Sequence, residues 1–341
     1  MTTINTQWLK PAFNILRCAH AELIVADLQR SKAFYVDTLG LVVSEETNDA
    51  LYLRGYQERL HHSLVLRTGR AALLGHLSFR VESEEDLDRL ERFYATHSCP
   101  CVWLSDAEPG QGRALRVQDP LGFPVEFFCA MSQAEWYLQK FNLYRGPHIM
   151  RLDHFNIHIP DVAAGYAYYR ALGFRCSEYT VADPPAEGLW AAWMYRRPSV
   201  HDVALTNGYG PRLHHVAFWL DDTNAICRAC DILAASEFRT ALERGPGRHG
   251  VSNAFFLYIR DPDGHRTELY TGDYYTGDPD FVPLRWVLSD PQRATFWGSY
   301  APASWFSQSS LVADAHGNPM PIQEPLLGER PAAVKTSDEK F

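Results

Sequence analysis

The chain has 341 residues, 46% of them hydrophobic and 21% charged, with a formal net charge of −9. Those proportions fit a globular chain of about two domains and exclude a disordered or fibrous one. The acidic balance gives no electrostatic footprint for nucleic acid or an anionic membrane, no run approaches the ~18 apolar residues of a membrane span, and the first residues lack the apolar stretch of a secretory signal. Seven cysteines, without a ladder of close pairs, predict a reduced, cytosolic setting. Cys227 and Cys230 form a lone C-x-x-C in a helical pattern and read as ordinary half-buried thiols. The 14 histidines pose the functional question, since histidine is the commonest metal ligand and the usual near-neutral acid/base.

Taken in chain order, the elements repeat. HAELIVADL at 20–28 reads as a strand followed by a helix ending in Leu-Gly. LGHLSFR at 74–80 is a second alternating strand, again followed by an amphipathic helix, and DPLGFPVE at 119–126 is a turn into a strand that carries a Glu. The same three features return about 140 residues later as HFNIHIPDV at 154–162, LHHVAFW at 213–219 and DPDGHRTE at 261–268. Each half also splits into two units of strand, helix and further strands. The predicted class is therefore α+β, with four βαβββ modules at about 16–70, 71–130, 149–208 and 211–272. They pair into an N-terminal domain, 14–130, and a C-terminal domain, 149–272. Residues 131–148 read as a linker with a helical start. Residues 273–341 read as a tail rich in Pro, Gly and Trp that could cover a site, its last dozen residues disordered.

His154, His215 and Glu268 fall on inward strand positions of the C-terminal half. Two neutral imidazoles and one carboxylate bind a divalent cation and leave half of an octahedral shell open, the facial triad of non-haem iron oxygen chemistry. Three such groups at module-equivalent positions are hard to explain as core, because an unpaired buried Glu is costly. Around them, His201 opens the strand VALTN and suits a proton-transfer role. ERGPGRHGVSN at 243–253 reads as a Gly-rich loop whose Arg244, Arg248 and His249 could hold an anion. Asn156 shares a strand face with His154, Tyr270 shares one with Glu268, and Tyr258 stands on the neighbouring strand.

HFN at 154–156, LHHVAF at 213–218, RGPGRHGVSNAF at 244–255 and DPDGHRTELYTGDYYTGDPD at 261–280 resemble the type I extradiol ring-cleaving dioxygenases of the vicinal oxygen chelate superfamily, over about residues 14–312. The resemblance implies that His154, His215 and Glu268 hold Fe(II), or Mn(II), and that a catechol reacts with O2 beside the metal. It implies His201 as acid/base and Tyr258 as the group bonding substrate oxygen, so that these two are the catalytic residues. It assigns Asn156, Trp193 and Tyr270 to the substrate pocket, with Arg244, His249 and Arg293 on a substrate carboxylate. It points to 3,4-dihydroxyphenylacetate, cleaved to 5-carboxymethyl-2-hydroxymuconate semialdehyde, and to a homotetramer. Relatives tend to carry two arginines where this chain has Arg293-Ala294. Alternatives are an extradiol enzyme for another catechol, or an isomerase or ligand-sequestering protein of the same fold.

The N-terminal half keeps its own set: His20, His76 and Glu126 align with His154, His215 and Glu268, and His61 falls close to the counterpart of His201. Glu22 stands for Asn156 and Arg116 for Tyr258. This set reads as a remnant of the duplicated ancestor, its added Glu and Arg free to pair with each other and satisfy the site without metal.

Overall fold

The computed structural model describes residues 4–185 and 187–328. Its strands are β1 (Ile15–Val25), β2 (Val42–Glu46), β3 (Ala50–Arg54), β4 (Leu64–Thr68), β5 (Leu73–Val81), β6 (Cys101–Leu104), β7 (Ala114–Gln118) and β8 (Pro124–Phe128) in the first half. The second half has β9 (Ile149–Ile159), β10 (Arg175–Val181), β11 (Leu189–Tyr195), β12 (Val203–Asn207), β13 (Arg212–Leu220), β14 (Leu242–Arg248), β15 (Phe255–Arg260) and β16 (Arg266–Thr271). The tail adds β17 (Leu284–Val287) and β18 (Ser310–Val312).

Each module opens with a strand whose end carries a helix cap. Asp27, Ser83, Asp161 and Asp222 accept backbone N–H groups at the starts of α1 (Leu28–Lys32), α2 (Glu84–Thr96), α3 (Val162–Ala171) and α4 (Thr223–Ala235). These short polar side chains satisfy donors that the first helical turn leaves orphaned. The first helix widens into a π-turn over Ala33–Thr38, where the Thr38 hydroxyl donates to the Ala33 carbonyl at 2.8 Å.

Pairing makes the two halves equivalent. In the first, the strands run β2-β3-β4-β1-β5-β8-β7-β6. In the second they run β10-β11-β12-β9-β13-β16-β15-β14. The first strands of the two modules in each half lie antiparallel at the centre, so a residue near that seam meets its module counterpart across it. The helices cover the outer face and share one core with the sheets, including Phe34, Phe79, Phe127, Phe155 and Tyr169.

The halves are joined by buried polar links: Cys18 N–H donates to Asp202 Oδ1 at 3.0 Å, and Tyr35 donates to Asp261 Oδ2 at 3.0 Å. The 131–148 segment differs from expectation. It has no helical start, only a single 3-10 turn at Phe141–Leu143. Its backbone pairs instead with residues 56–60, through Ala134 N–H to Arg59 O and Tyr137 N–H to Tyr56 O, so its donors are met without a helix.

In the tail, β17 pairs with β10, α5 (Pro291–Ala294) and α6 (Ala303–Ser307) follow, and β18 bridges β13 and β5. The dozen terminal residues predicted as disordered lie outside the described residues. Among the described residues no helix is long and apolar enough to cross a membrane.

Candidate active site

The central strands bring the predicted ligands together by register. Across the β9–β13 seam His154 faces Ala217 and Asn156 faces His215, while Ala217 pairs with Glu268 on β16. All three ligand side chains are buried, and their ligand atoms converge. Glu268 Oε2 lies 3.0 Å from His154 Nε2 and 3.1 Å from His215 Nε2, and the two imidazole nitrogens are 3.3 Å apart. Ligands on one face of an octahedron, with bonds of about 2.1–2.2 Å, are separated by about 3.0–3.1 Å. The two imidazoles and one carboxylate therefore fit a divalent metal held on one face.

Electrostatics point the same way. Burial alone would lower His154, but Asp153 and Glu268 on its two ring nitrogens raise it to about 9. Burial lowers His215 to about 4, against the pull of Glu268. Burial would raise Glu268, but its hydrogen bonds with His154 and His215 hold it well below the usual carboxylate range, so a charged carboxylate stands where the nitrogens converge. Asp153 was not anticipated from sequence. Its Oδ2 lies 3.0 Å from His154 Nδ1 and accepts the Tyr270 hydroxyl at 2.5 Å.

That contact corrects the expectation for Tyr270. The ring is buried and does not line the cavity, because its hydroxyl is committed to Asp153. Its hydroxyl instead supports the carboxylate behind His154.

A cavity of about 350 Å³ opens over the triad. It is lined by Asn156, Trp193, His201, Arg244, Tyr258 and Arg293, among others. His201 precedes β12, the strand on the other side of β9, and its ring centroid is 3.8 Å from that of His154. Its Nδ1 is buried without a partner, and burial, then the neighbouring His154, holds it well below the usual histidine range. Asn156 Oδ1 accepts from the Thr206 hydroxyl at 3.2 Å.

The segment read as a Gly-rich loop is largely strand. Residues 242–248 pair with β15 through two register shifts, too irregular to leave an alternating signature. Arg248 donates to the Asn253 carbonyl and does not line the cavity.

His249 is a second correction: it lines the cavity but is no cation. Burial, then Arg244, lowers it to about 3. Its Nδ1 lies 2.5 Å from the Ala294 carbonyl, which can only accept, so Nδ1 carries the single proton of the neutral ring. Its Nε2, 3.0 Å from the Tyr258 oxygen, must then accept the phenolic hydrogen.

The remaining cations are Arg244 and Arg293, both buried and both lowered only to about 10, so both are charged at neutral pH. Arg244 Nη2 donates to the Ala294 carbonyl and Thr295 Oγ1, while the Nε of each guanidinium has no partner. Among the described residues no carboxylate forms an ion pair with either; Asp290 and Asp183 act on Arg293 only from a distance. The tail helix α5 supplies Arg293, and Tyr300, Trp305 and Phe306 wall the cavity beyond it.

The N-terminal half repeats this register. Glu22 faces His76 as Asn156 faces His215, Ser78 pairs with Glu126 as Ala217 pairs with Glu268, and Arg116 pairs with Glu126 as Tyr258 pairs with Glu268. The residue at the His201 position is His62 and not His61: each stands three residues before the strand residue that faces Glu22 or Asn156. Glu22 and Arg116 do not pair with each other. Arg67 takes Glu22 at 2.6 Å, and Arg116 takes Glu126 at 2.5 Å.

The sequence matches the Glyoxalase/Bleomycin resistance protein/Dioxygenase superfamily over residues 17–127 and 151–269, one stretch in each half. The chain belongs to that superfamily. Among curated relatives it is 33% identical over 298 residues to the manganese-dependent 2,3-dihydroxybiphenyl 1,2-dioxygenase of Geobacillus genomosp. 3, covering 83% of this chain and 93% of that one. It is 28% identical to the metapyrocatechase of Geobacillus stearothermophilus, covering 89% and 96%. Among solved structures, homoprotocatechuate 2,3-dioxygenase from Brevibacterium fuscum in complex with 3,4-dihydroxyphenylacetate superposes with a TM-score of 0.88 at 48% identity, covering 92% of this chain and 98% of that one. Within the superfamily the chain is an extradiol ring-cleaving dioxygenase.

Proposed function

We propose that the chain cleaves 3,4-dihydroxyphenylacetate, or a catechol of the same shape with a short carboxylate side chain, at a divalent metal held by His154, His215 and Glu268. Fe(II) and Mn(II) both suit this donor set. A metal held by these three residues would supply the Lewis-acid and redox chemistry that lets a catechol react with O2. Both oxygen atoms enter the product. The ring carbon–carbon bond beside the diol breaks, giving 5-carboxymethyl-2-hydroxymuconate semialdehyde from 3,4-dihydroxyphenylacetate.

The protein side chains position and move protons. His201, neutral and with a free Nδ1, accepts a proton released by the catechol and returns it to oxygen as the O–O bond breaks. Tyr258, its hydrogen on His249, presents its oxygen to the cavity as an acceptor, with the hydroxyl able to turn toward a substrate oxygen. Asn156 and Trp193 shape the wall. The tail residues Trp305 and Phe306 exclude water from the reacting centre.

One observation carries the substrate reading: two buried, charged guanidiniums, Arg244 and Arg293, line the cavity without a carboxylate partner among the described residues. Buried charges are ordinarily paired, and a substrate carboxylate would complete this pair. The test is kcat/KM on 3,4-dihydroxyphenylacetate against its methyl ester. The acid is expected to be better by about 10-fold or more, the worth of a charge-assisted bond. Equal efficiencies contradict a carboxylate grip.

A further inference from the structure

The N-terminal cluster is more complete than its sequence suggested. His20, His76 and Glu126 are joined by Glu108, from the irregular segment between β6 and β7, and the four ligand atoms converge. His20, His76 and Glu126 are 0% exposed and Glu108 is 3% exposed. Five contacts define the set, the two to Glu108 made through different oxygens of its carboxylate. His20 Nε2 and His76 Nε2 are 2.9 Å apart. Glu108 lies 3.4 Å from each of them, through Oε2 and Oε1 respectively, and Glu126 Oε1 lies 3.6 and 3.7 Å away.

These spacings differ from those of the catalytic triad in an informative way. Four ligands at about 2.1 Å from a tetrahedral ion are separated by about 3.4 Å, against about 3.0 Å for the face of an octahedron. The catalytic edges are short and leave one side open. The two N-terminal histidines are 2.9 Å apart, but the contacts to the carboxylates are longer, and Glu108 adds a fourth ligand with no counterpart in the catalytic triad. Supporting contacts are also in place. His62 Nε2 lies 2.9 Å from Glu108 Oε2, Gln111 Nε2 donates to Glu126 Oε1 at 2.8 Å, and Arg116 takes the outer oxygen, Oε2, leaving Oε1 facing the histidines. Glu108 Oε1 has no hydrogen-bond partner. Around the cluster three carboxylates (Glu22, Glu108 and Glu126) face two guanidiniums, Arg67 and Arg116. One buried negative charge is left for a cation or a proton to neutralise.

We infer that His20, His76, Glu108 and Glu126 form a second metal site, a closed four-ligand site for a zinc-type divalent cation that ties the 105–113 segment to β1, β5 and β8. With no open coordination position it is structural and not a second ring-cleaving centre.

The test uses full-length His215→Ala, in which the catalytic triad is broken and the N-terminal cluster is intact. The protein is stripped with a chelator, loaded with Zn2+ or Co2+, desalted and analysed for metal. One ion per chain is expected, and with Co2+ the intense visible absorption of a tetrahedral centre. Adding Glu108→Gln is expected to weaken retention at least 10-fold. A His215→Ala chain that keeps no ion, or shows only the weak spectrum of six-coordinate cobalt, overturns the inference, as does undiminished retention when Glu108→Gln is added. A second measurement needs no variant in the cluster: anomalous scattering at the zinc edge from crystals of zinc-loaded His215→Ala. A peak between His20 and Glu126 is expected, and a cluster without one overturns the site.

Discussion

Asp153 stands behind His154, its carboxylate 3.0 Å from Nδ1, so that with metal bound the ring would donate there and leave the lone pair of Nε2 for the point on which His154, His215 and Glu268 converge. A carboxylate on the far nitrogen fixes the tautomer and raises the basicity of the ligand. Asp153→Asn should therefore weaken metal affinity about 10- to 100-fold, with activity recovered at saturating metal. Tyr270→Phe should move affinity in the same direction by less. Competition against a chelator of known affinity reads both. Unchanged affinity with a reduced kcat would show that Asp153 acts elsewhere.

The pairing of His249 with Tyr258 sets a second expectation. With its pKa at about 3, His249 should remain the neutral Nδ1–H tautomer from pH 8 down to pH 5, visible in its ring 15N shifts. The sign for stability follows from linkage. The unfolded histidine binds a proton below about pH 6.5 and the folded one does not, so this residue costs stability progressively as pH falls from there toward 3. A ring that titrates near 6.5 in the folded chain would contradict the assignment and restore His249 as a substrate-binding cation.

Arg293→Gln removes one of the two unpaired guanidiniums. The predicted outcome is a KM for 3,4-dihydroxyphenylacetate raised about 10- to 100-fold, with little change for its methyl ester. A parallel loss on both compounds would mean that Arg293 props the tail and does not grip a carboxylate.

Glu243 fastens the tail. It pairs with Arg266 at 2.6 Å and Arg260 at 2.9 Å and accepts from Ser304, while Arg266 reaches the carbonyls of Ser304 and Gln308. Burial raises its pKa, but the two guanidiniums outweigh that and lower it to about 2. A depressed acid contributes stability that is present above its unfolded value near 4.5 and lost as pH falls toward 2. Glu243→Gln should cost about 2–3 kcal/mol at pH 7 and less at pH 3, measured by denaturant unfolding. An unchanged midpoint would show that the tail is held by its apolar contacts alone.

Much of this was legible in the chain because the fold is duplicated. His154, His215 and Glu268 were found by period-two strands whose counterparts recur in the first half, and the strand register preserves that correspondence residue by residue. Asp153 escaped because Ala19 occupies its place in the other copy. Glu108 escaped because it lies between strands, where no periodicity fixes its direction. His61 and His62 are adjacent, and only the pairing of β4 with β1 decides which one is the counterpart of His201. The charge state of His249 depends on burial and on a carbonyl contributed by the tail, neither of which residue spacing encodes.

The most direct test of the central claim is oxygen uptake by the chain after anaerobic reconstitution with Fe(II) or Mn(II), with 3,4-dihydroxyphenylacetate as substrate and product identification by mass. One O2 consumed per catechol is expected, with a ring-opened semialdehyde carrying both oxygen atoms and no turnover by His154→Ala or Glu268→Gln. A reconstituted chain that consumes no oxygen with any catechol, or that yields the tricarboxylic acid of cleavage between the two hydroxylated carbons, would contradict the claim.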